Sequence, residues 1–382
     1  MKVVIAIDSF KGSMTSLEAG EAARRGVLRA CPEASVTVLP AADGGEGTCE
    51  ALVTGLGGHF RTVEAEGPLG GPVCARYGIL PGGAAVREMA EAAGITLASP
   101  GALDPWRSTT RGVGQMVLDA MGAGCREIVL GIGGSATTEA GLGLFQELGW
   151  DFLDEDGEPL PPVPTSLGKV ARIEAARVPK ELAACRFHIA CDVTNPLCGS
   201  NGAVAVYGPQ KGVRPNEVEP LDAAMAHFAS VIEAAAGRRC ANTPGAGAAG
   251  GLGFSLMSLL PQVELRPGVE VVLEAVGLEG ALRGADVVIT GEGRLDAQSA
   301  NGKVPVGVAR MAKRHGCAVL AFGGSVADDA GTLNEEGIDA LFPIVRGPIS
   351  LQEAMEPQTA QRNLELAVEQ ALRLAAGQEK VR

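Results

Sequence analysis

Rings are scarce in this 382-residue chain: aromatic residues make up only 3% of it. Its core must therefore be aliphatic and rich in alanine. Histidine is almost missing, with His59, His188, His227 and His315 the whole supply. Neither a histidine-based zinc centre nor a Ser-His-Asp triad is supported by so few. The G-x-S-x-G elbow of serine hydrolases is absent, as is the G-x-x-x-x-G-K-[ST] phosphate loop. The nine cysteines include no Cys-x-x-Cys pair, so reduced thiols are expected. Cys185, Cys191 and Cys198 are spaced too widely for a structural zinc site and read as small buried hydrophobes. Positive charge is in deficit, with a net charge of −13, which argues against non-specific binding to nucleic acid or anionic membranes. It does not forbid an anionic substrate, because a local cation cluster or a helix N-terminus can reverse the field. No apolar run approaches transmembrane length. The first apolar run is too short for a signal peptide and meets Asp8 at once. A cytoplasmic protein is expected.

What the chain has in excess is glycine, 54 residues gathered in clusters without a collagen-like period. Its length favours two domains, and 46% hydrophobic with 20% charged residues marks a globular chain. The richest cluster is Thr290-Gly291-Glu292-Gly293-Arg294-Leu295-Asp296-Ala297-Gln298-Ser299-Ala300-Asn301-Gly302-Lys303, which follows the apolar run 285–289. A buried strand opening into a loop is expected there. Gly291, Gly293 and Gly302 let a backbone approach a ligand closely. Arg294 and Lys303 can neutralise carboxylate or phosphate, and Glu292 and Asp296 can hold a metal or take a proton. An ordinary polar loop would explain any one of these residues; the whole set points to phosphoryl transfer.

The same strand–glycine arrangement recurs. Asp8-Ser9-Phe10-Lys11-Gly12-Ser13 follows a strand at 3–7. Ala42-Asp43-Gly44-Gly45-Glu46-Gly47-Thr48 follows one at 36–39 and suits an anion cradle at a helix start. Gly131-Ile132-Gly133-Gly134-Ser135-Ala136-Thr137-Thr138 follows the run 128–130. Asp192, just past apolar Ile189-Ala190, is a candidate general base or metal ligand, with an Asx turn before Pro196 as the competing explanation. Lys211, in Tyr207-Gly208-Pro209-Gln210-Lys211-Gly212, is either a phosphate contact or a solvated turn residue. Gly245 to Gly250 match G-x-G-x-x-G, yet residues 238–244 before them are no strand. A dinucleotide site is therefore discounted in favour of a loop opening a helix at 252–260.

Thr15-Ser16-Leu17-Glu18 has the form of a capping box before a helix whose apolar residues are Leu17, Val27 and Leu28. Residues 64–80 read as a hairpin turned at Gly67-Pro68-Leu69-Gly70-Gly71, and Glu158 to Pro164 as a surface loop. Further strands are expected at 318–322 and 341–345, with helices at 304–315 and 359–376; the last places Leu364, Val368, Leu372 and Ala375 on one face. Both chain ends thus carry a β-α-β rhythm and the middle does not. The expected class is α/β with two α/β domains. Residues 1–63 plus 285–382 form a discontinuous, flavodoxin-like parallel-sheet domain, and 64–284 an inserted mixed-sheet domain. Asp8, Asp43, residues 292–296 and Gly323-Gly324-Ser325 all follow expected strands, where open parallel sheets bind ligands.

Taken in order, these segments resemble the type-1 glycerate kinase family across nearly the whole chain, and Pro305-Val306-Gly307-Val308-Ala309 continues the likeness. One departure stands out: the family pattern Asn-Asp-Gly-Gly after Ser135-Ala136-Thr137 is here Thr138-Glu139-Ala140-Gly141. The resemblance implies phosphorylation of D-glycerate by ATP, chiefly to 2-phosphoglycerate, and an α/β fold with one discontinuous domain. On that basis Arg294 and Lys11 are expected to bind the glycerate carboxylate or the transferring phosphoryl, and Asp192 or Asp8 to accept the hydroxyl proton. Asp43, Glu46 or Asp296 would hold Mg²⁺, and Gly133, Gly134 and Ser135 would cradle nucleotide phosphates. Ser9, Gly44, Gly45, Lys211, Gly291, Gly293 and Lys303 complete the expected binding set. A homo-oligomer is compatible with this picture. The alternative is a non-catalytic sensor of a small hydroxy acid on the same scaffold.

Overall fold

The computed structural model describes residues 1–99, 102–300 and 302–379, with side chains to residue 375. Asn301, in the richest glycine cluster, lies outside the described residues. Thirteen strands are described, in chain order β1 (Lys2–Ile7), β2 (Ser35–Pro40), β3 (His59–Glu66), β4 (Pro72–Ile79), β5 (Ala85–Glu88), β6 (Glu127–Gly131), β7 (Asp151–Leu153), β8 (Arg172–Glu174), β9 (Arg186–Ala190), β10 (Val263–Arg266), β11 (Val287–Leu295), β12 (Ala318–Val326) and β13 (Ala340–Pro343). The chain divides into two compact units. One comprises residues 1–43, 50–56 and 267 onward; the other comprises 44–49 and 57–266. The helices Gly268–Ala275 and Leu278–Leu282 go with the first unit, whereas the expected bounds put them in the insert. Packing accounts for this: a Cβ at Gly307, on the helix Val304–Arg314, would lie 2.6 Å from the Val269 side chain.

The first unit is built on a five-stranded, all-parallel sheet of order β13-β12-β11-β1-β2. Counted within the unit this is the doubly wound order 2-1-3-4-5, with the switch point between β1 and β11. β1 is central and Val3 to Ile7 are fully buried, which is why it is an unbroken apolar run rather than an alternating one. The helix Ser16–Ala30 starts at the expected capping box: Thr15 Oγ1 accepts from the Glu18 N–H at 3.2 Å, and Glu18 Oε2 accepts from the Thr15 N–H at 2.8 Å. Its buried face is Ala19, Ala22, Ala23 and Val27, not Leu17 and Leu28. Small residues win because the helix Pro357–Glu379 lies against it so closely that a Cβ at Gly26 would come within 2.3 Å of the Glu365 carbonyl oxygen. Leu364, Val368 and Leu372 fill that interface as expected; Ala371 joins them, and Ala375 is exposed instead.

The second unit carries a six-stranded mixed sheet of order β10-β9-β6-β5-β4-β3, parallel from β10 to β5 and antiparallel through the β3–β4 hairpin. That hairpin turns at the expected glycines but begins at His59. A small antiparallel pair, β7 with β8, stands apart. The few aromatics concentrate in this core, where Phe228 meets Phe152 at a tilt and Phe254 edge-on, and Phe145 meets Trp150 edge-on. Arg87 on β5 is also inside, 1% exposed, its guanidinium over the Tyr77 ring at 5.1 Å. Burial pulls its pKa down to about 10.

Two glycine-rich segments serve packing. A Cβ at Gly250 would lie 2.0 Å from the Thr137 carbonyl oxygen, and one at Gly253 would lie 2.1 Å from that of Gly245. The 245–253 loop therefore locks a helix start onto its neighbours and, as expected, follows no strand. β11 runs on to Leu295, past the expected loop start at Thr290. Glycines on both strands permit this: a Cβ at Gly291 would sit 2.2 Å from the Phe322 oxygen, and one at Gly324 would sit 2.5 Å from the Gly293 oxygen. No helix among the described residues is long and apolar enough to cross a membrane.

Candidate active site

Each unit carries its own cavity, and the expected residues divide between them. In the first unit, the carboxyl ends of β1 and β11 open on a cavity of about 800 Å³ lined by Asp8, Ser9, Lys11, Asp43, Glu292, Gly293, Arg294 and Lys303. The Asp8 N–H donates to the Gly291 oxygen at 2.9 Å, which ties the loop after β1 to β11. Asp8 Oδ1 accepts the Ser9 N–H at 2.6 Å. Burial, then the negative charges of Asp43 and Glu292, push the Asp8 carboxyl up to about 7, against the Ser9 hydrogen bond and Lys11. Glu292 is raised as well, chiefly by burial, although the Ser299 hydroxyl donates to it and the Lys303 ammonium lies 3.4 Å away. Carboxylates this close resist joint ionisation unless a cation arrives. Arg294 is largely exposed and pairs with Asp296 at 3.1 Å.

Three expected residues fall elsewhere. Gly291 is buried within β11 and serves strand pairing, not the cavity lining. Asp296 accepts the Gln298 N–H at 3.1 Å and the Arg294 guanidinium, closing the turn after β11. Glu46 is exposed and lines neither cavity.

The second unit encloses a smaller cavity, about 390 Å³, lined by Gly44, Gly45, Gly133, Gly134, Ser135, Asp192 and Lys211 among others. The turn Pro209–Lys211 brings Lys211 inside, only 1% exposed, so a solvated turn residue is not what the structure contains. Its ammonium donates to Ser135 Oγ and to the Thr137 carbonyl, each at 2.7 Å. Burial pulls its pKa down to about 7, with the charge of Glu139 opposing. Asp192 is exposed just past β9. Ala249, another lining residue, holds a left-handed φ of 52°, a strained conformation of the kind found where structure over-determines a site.

Sequence reasoning missed the residues that hold these loops. Glu139, wholly buried, accepts the Thr110 N–H at 2.7 Å and the Gly143 N–H at 3.3 Å. It thereby serves the first turns of two helices, Arg111–Gly122 and Leu142–Glu147. Burial pushes its carboxyl up to about 7. The longer side chain that departs from the family pattern is thus a double helix anchor. Glu88, at the end of β5, accepts the Cys49 N–H at 2.9 Å and the Gly47 N–H at 3.3 Å and so sets the Gly44-Gly45-Glu46-Gly47 turn. Nothing in the sequence flags Glu88; the substitution at Glu139 was a visible signal.

Comparison with known proteins shows the family. A model of the glycerate kinase family matches residues 3–376. A Bacillus subtilis glycerate kinase is 44% identical over 357 residues, covering 93% of each chain. A glycerate 2-kinase of Escherichia coli K12 is 42% identical over 355 residues, again 93% of each. A solved structure from Salmonella typhimurium LT2, named for glycerate kinase 2, superimposes with a TM-score of 0.90 at 40% identity and covers 99% of both chains. Matches of that extent take in both cavities and every segment that lines them, and they make this chain a member of the glycerate kinase family.

Proposed function

We propose that the protein transfers the γ-phosphoryl group of ATP to D-glycerate, giving 2-phosphoglycerate and ADP. The observation that carries this reading is the mixed charge of the first-unit cavity: Asp8, Asp43 and Glu292 share it with Lys11, Arg294 and Lys303. Acids alone would suit a metal and cations alone an anion; the two together suit a metal–polyphosphate. No three His, Cys, Asp or Glu side chains among the described residues form an all-protein metal cage. Mg²⁺ commonly takes one or two carboxylates and completes its shell with water and phosphate. Asp43 with Asp8 or Glu292 fits that demand; burial first, and then the neighbouring carboxylates, raise the Asp8 carboxyl, and a bound cation would relieve the second of these. Asp296, engaged by Arg294, and exposed Glu46 fit it less well. Bound there, Mg²⁺ would neutralise charge building up on the phosphates.

The glycine-lined cavity suits the smaller anion better than the nucleotide phosphates first expected there. Its volume is about half that of the other, and its one buried cation is Lys211. Backbone N–H groups at Gly133 and Gly134, with Ser135 and Lys211, would hold the glycerate carboxylate. Asp192 lines the same cavity and would take the proton of the glycerate hydroxyl. Lys11, Arg294 and Lys303 would bind the polyphosphate and offset the charge that leaves with ADP. Purified protein incubated with Mg-ATP and D-glycerate and followed by phosphorus NMR tests the reaction. A 2-phosphoglycerate resonance is expected. The 3-phospho isomer would overturn the regiochemistry, and absence of either product from folded protein would overturn the kinase reading.

A further inference from the structure

The cavity of the first unit has a second half that phosphate and metal leave unexplained. Besides the charged residues, its lining includes an apolar wall of Ile344, Val345, Ile349, Leu351 and Met355. Leu351 and Met355 lie on the short helix Leu351–Met355, whose start is capped by Ser350. Met355 reaches across to the loop after β1: a Cβ at Gly12 would lie 3.0 Å from its terminal methyl. Most of this wall is uncovered. Ile349 is 37% exposed, Leu351 75% and Met355 37%. Large apolar side chains gathered on one exposed surface mark a place where something binds.

We infer that this wall is the seat of the adenine base of the nucleotide. The inference rests on the kinase reading for its choice of ligand. Of the two substrates only ATP has a flat apolar face to bury, since glycerate is a three-carbon acid with polar groups on every carbon. The wall and the cations Lys11, Arg294 and Lys303 line one continuous cavity, so base and polyphosphate can be bound by a single ligand with one end of each kind. Its volume, about 800 Å³, lies in the range of nucleotide-sized sites and far exceeds what glycerate fills. The five side chains of the wall are aliphatic or thioether, and the hydroxyls in the cavity lining are those of serines, Ser9, Ser13 and Ser325. Adenine would thus be held by contact rather than by a hydrogen-bond code, and other purine triphosphates should be accepted with modest loss.

Photolabelling of the full chain with 8-azido-ATP and Mg²⁺, followed by peptide mapping, tests the placement without requiring turnover. Label within residues 344–355, displaced by ATP and not by D-glycerate, is expected. Label that ATP displaces from residues 132–137 or 190–211 instead would overturn the inference. The variant Leu351→Asp adds a kinetic arm and leaves the core intact, because the side chain is exposed. It should raise the KM for ATP about tenfold, the scale of one partly buried leucine contact, with the KM for D-glycerate unmoved. An unchanged KM for ATP, with Leu351→Asp converting a dimer to a monomer in sedimentation, would show the wall to be a subunit contact and sink the proposal. Label on 344–355 in a protein that forms no phosphoglycerate would uphold the base site while removing the kinase reading.

Discussion

The two cavities handle negative charge by different means. The first unit uses side chains of both signs at the ends of parallel strands: Asp8, Asp43 and Glu292 against Lys11, Arg294 and Lys303. The second uses backbone and one interior cation: Gly133, Gly134 and Ser135 around a Lys211 that is almost wholly buried. Side chains of opposed sign, with Lys11 and Arg294 exposed and Glu292 buried, can rearrange around a ligand whose charge and metal content vary. A buried lysine held at 2.7 Å by two fixed oxygens cannot adapt, so it selects one small anion. On the reading proposed above, the nucleotide meets the cavity of mixed side-chain charge and glycerate the cavity built around one buried lysine, which divides tolerance from selectivity.

The sharpest way to break this comparison is at Asp192. If it takes the hydroxyl proton, Asp192→Asn should cut kcat by roughly two orders of magnitude or more while a fluorescent ATP analogue binds as before; near-normal kcat in the folded variant removes it from that role. Next comes Lys211→Met. Loss of a charged hydrogen bond of about 1.5–3 kcal/mol should lower kcat/KM for D-glycerate by tens of fold, and Lys11→Ala should instead raise the KM for ATP. Equal effects of the two substitutions on both substrates would erase the division of labour. Third, Glu139→Ala should cost about 1–3 kcal/mol of stability, since two buried N–H groups lose their acceptor, whereas Glu139→Gln should cost less; urea unfolding measures both. The last prediction concerns pH. The Asp8 carboxyl titrates near 7 in the folded chain and near 3.8 when unfolded. The unfolded state therefore loses its proton first, and the Asp8 contribution to metal-free stability should decline as pH rises from about 4 to about 7 and then level off. Asp8→Asn should flatten that slope, and a slope that persists would assign it to other groups.

Much of the scaffold was legible because parallel strands buried on both faces are short, unbroken apolar runs, and glycine marks where they end. β1, β6, β9 and the loops after them follow that rule, whereas β2 is a half-buried edge strand known by the glycines after it, and the capping box at Thr15 is a separate local signal. Lys211, poised between two readings in the sequence, needed coordinates because Pro209 and Gly212 mark a turn without saying which way it faces. Errors arose where neighbours decide. Alanines and Val27, rather than Leu17 and Leu28, form the buried face of the first helix because helix 357–379 comes so close, and Gly291 packs against β12 instead of lining the cavity. The apolar wall escaped notice because Ile349 and Leu351, isolated in a loop and a single helical turn, carry no period.

The split origin of the first sheet has a consequence for how the protein is made. β1 and β2 leave the ribosome early, yet β11, which covers the other edge of β1, begins at Val287. The second unit is nearly continuous, from residue 57 to 266, so it can collapse while synthesis continues. Until then the apolar residues of β1 lack a partner on one side, which makes the nascent N-terminal segment a natural client for chaperones.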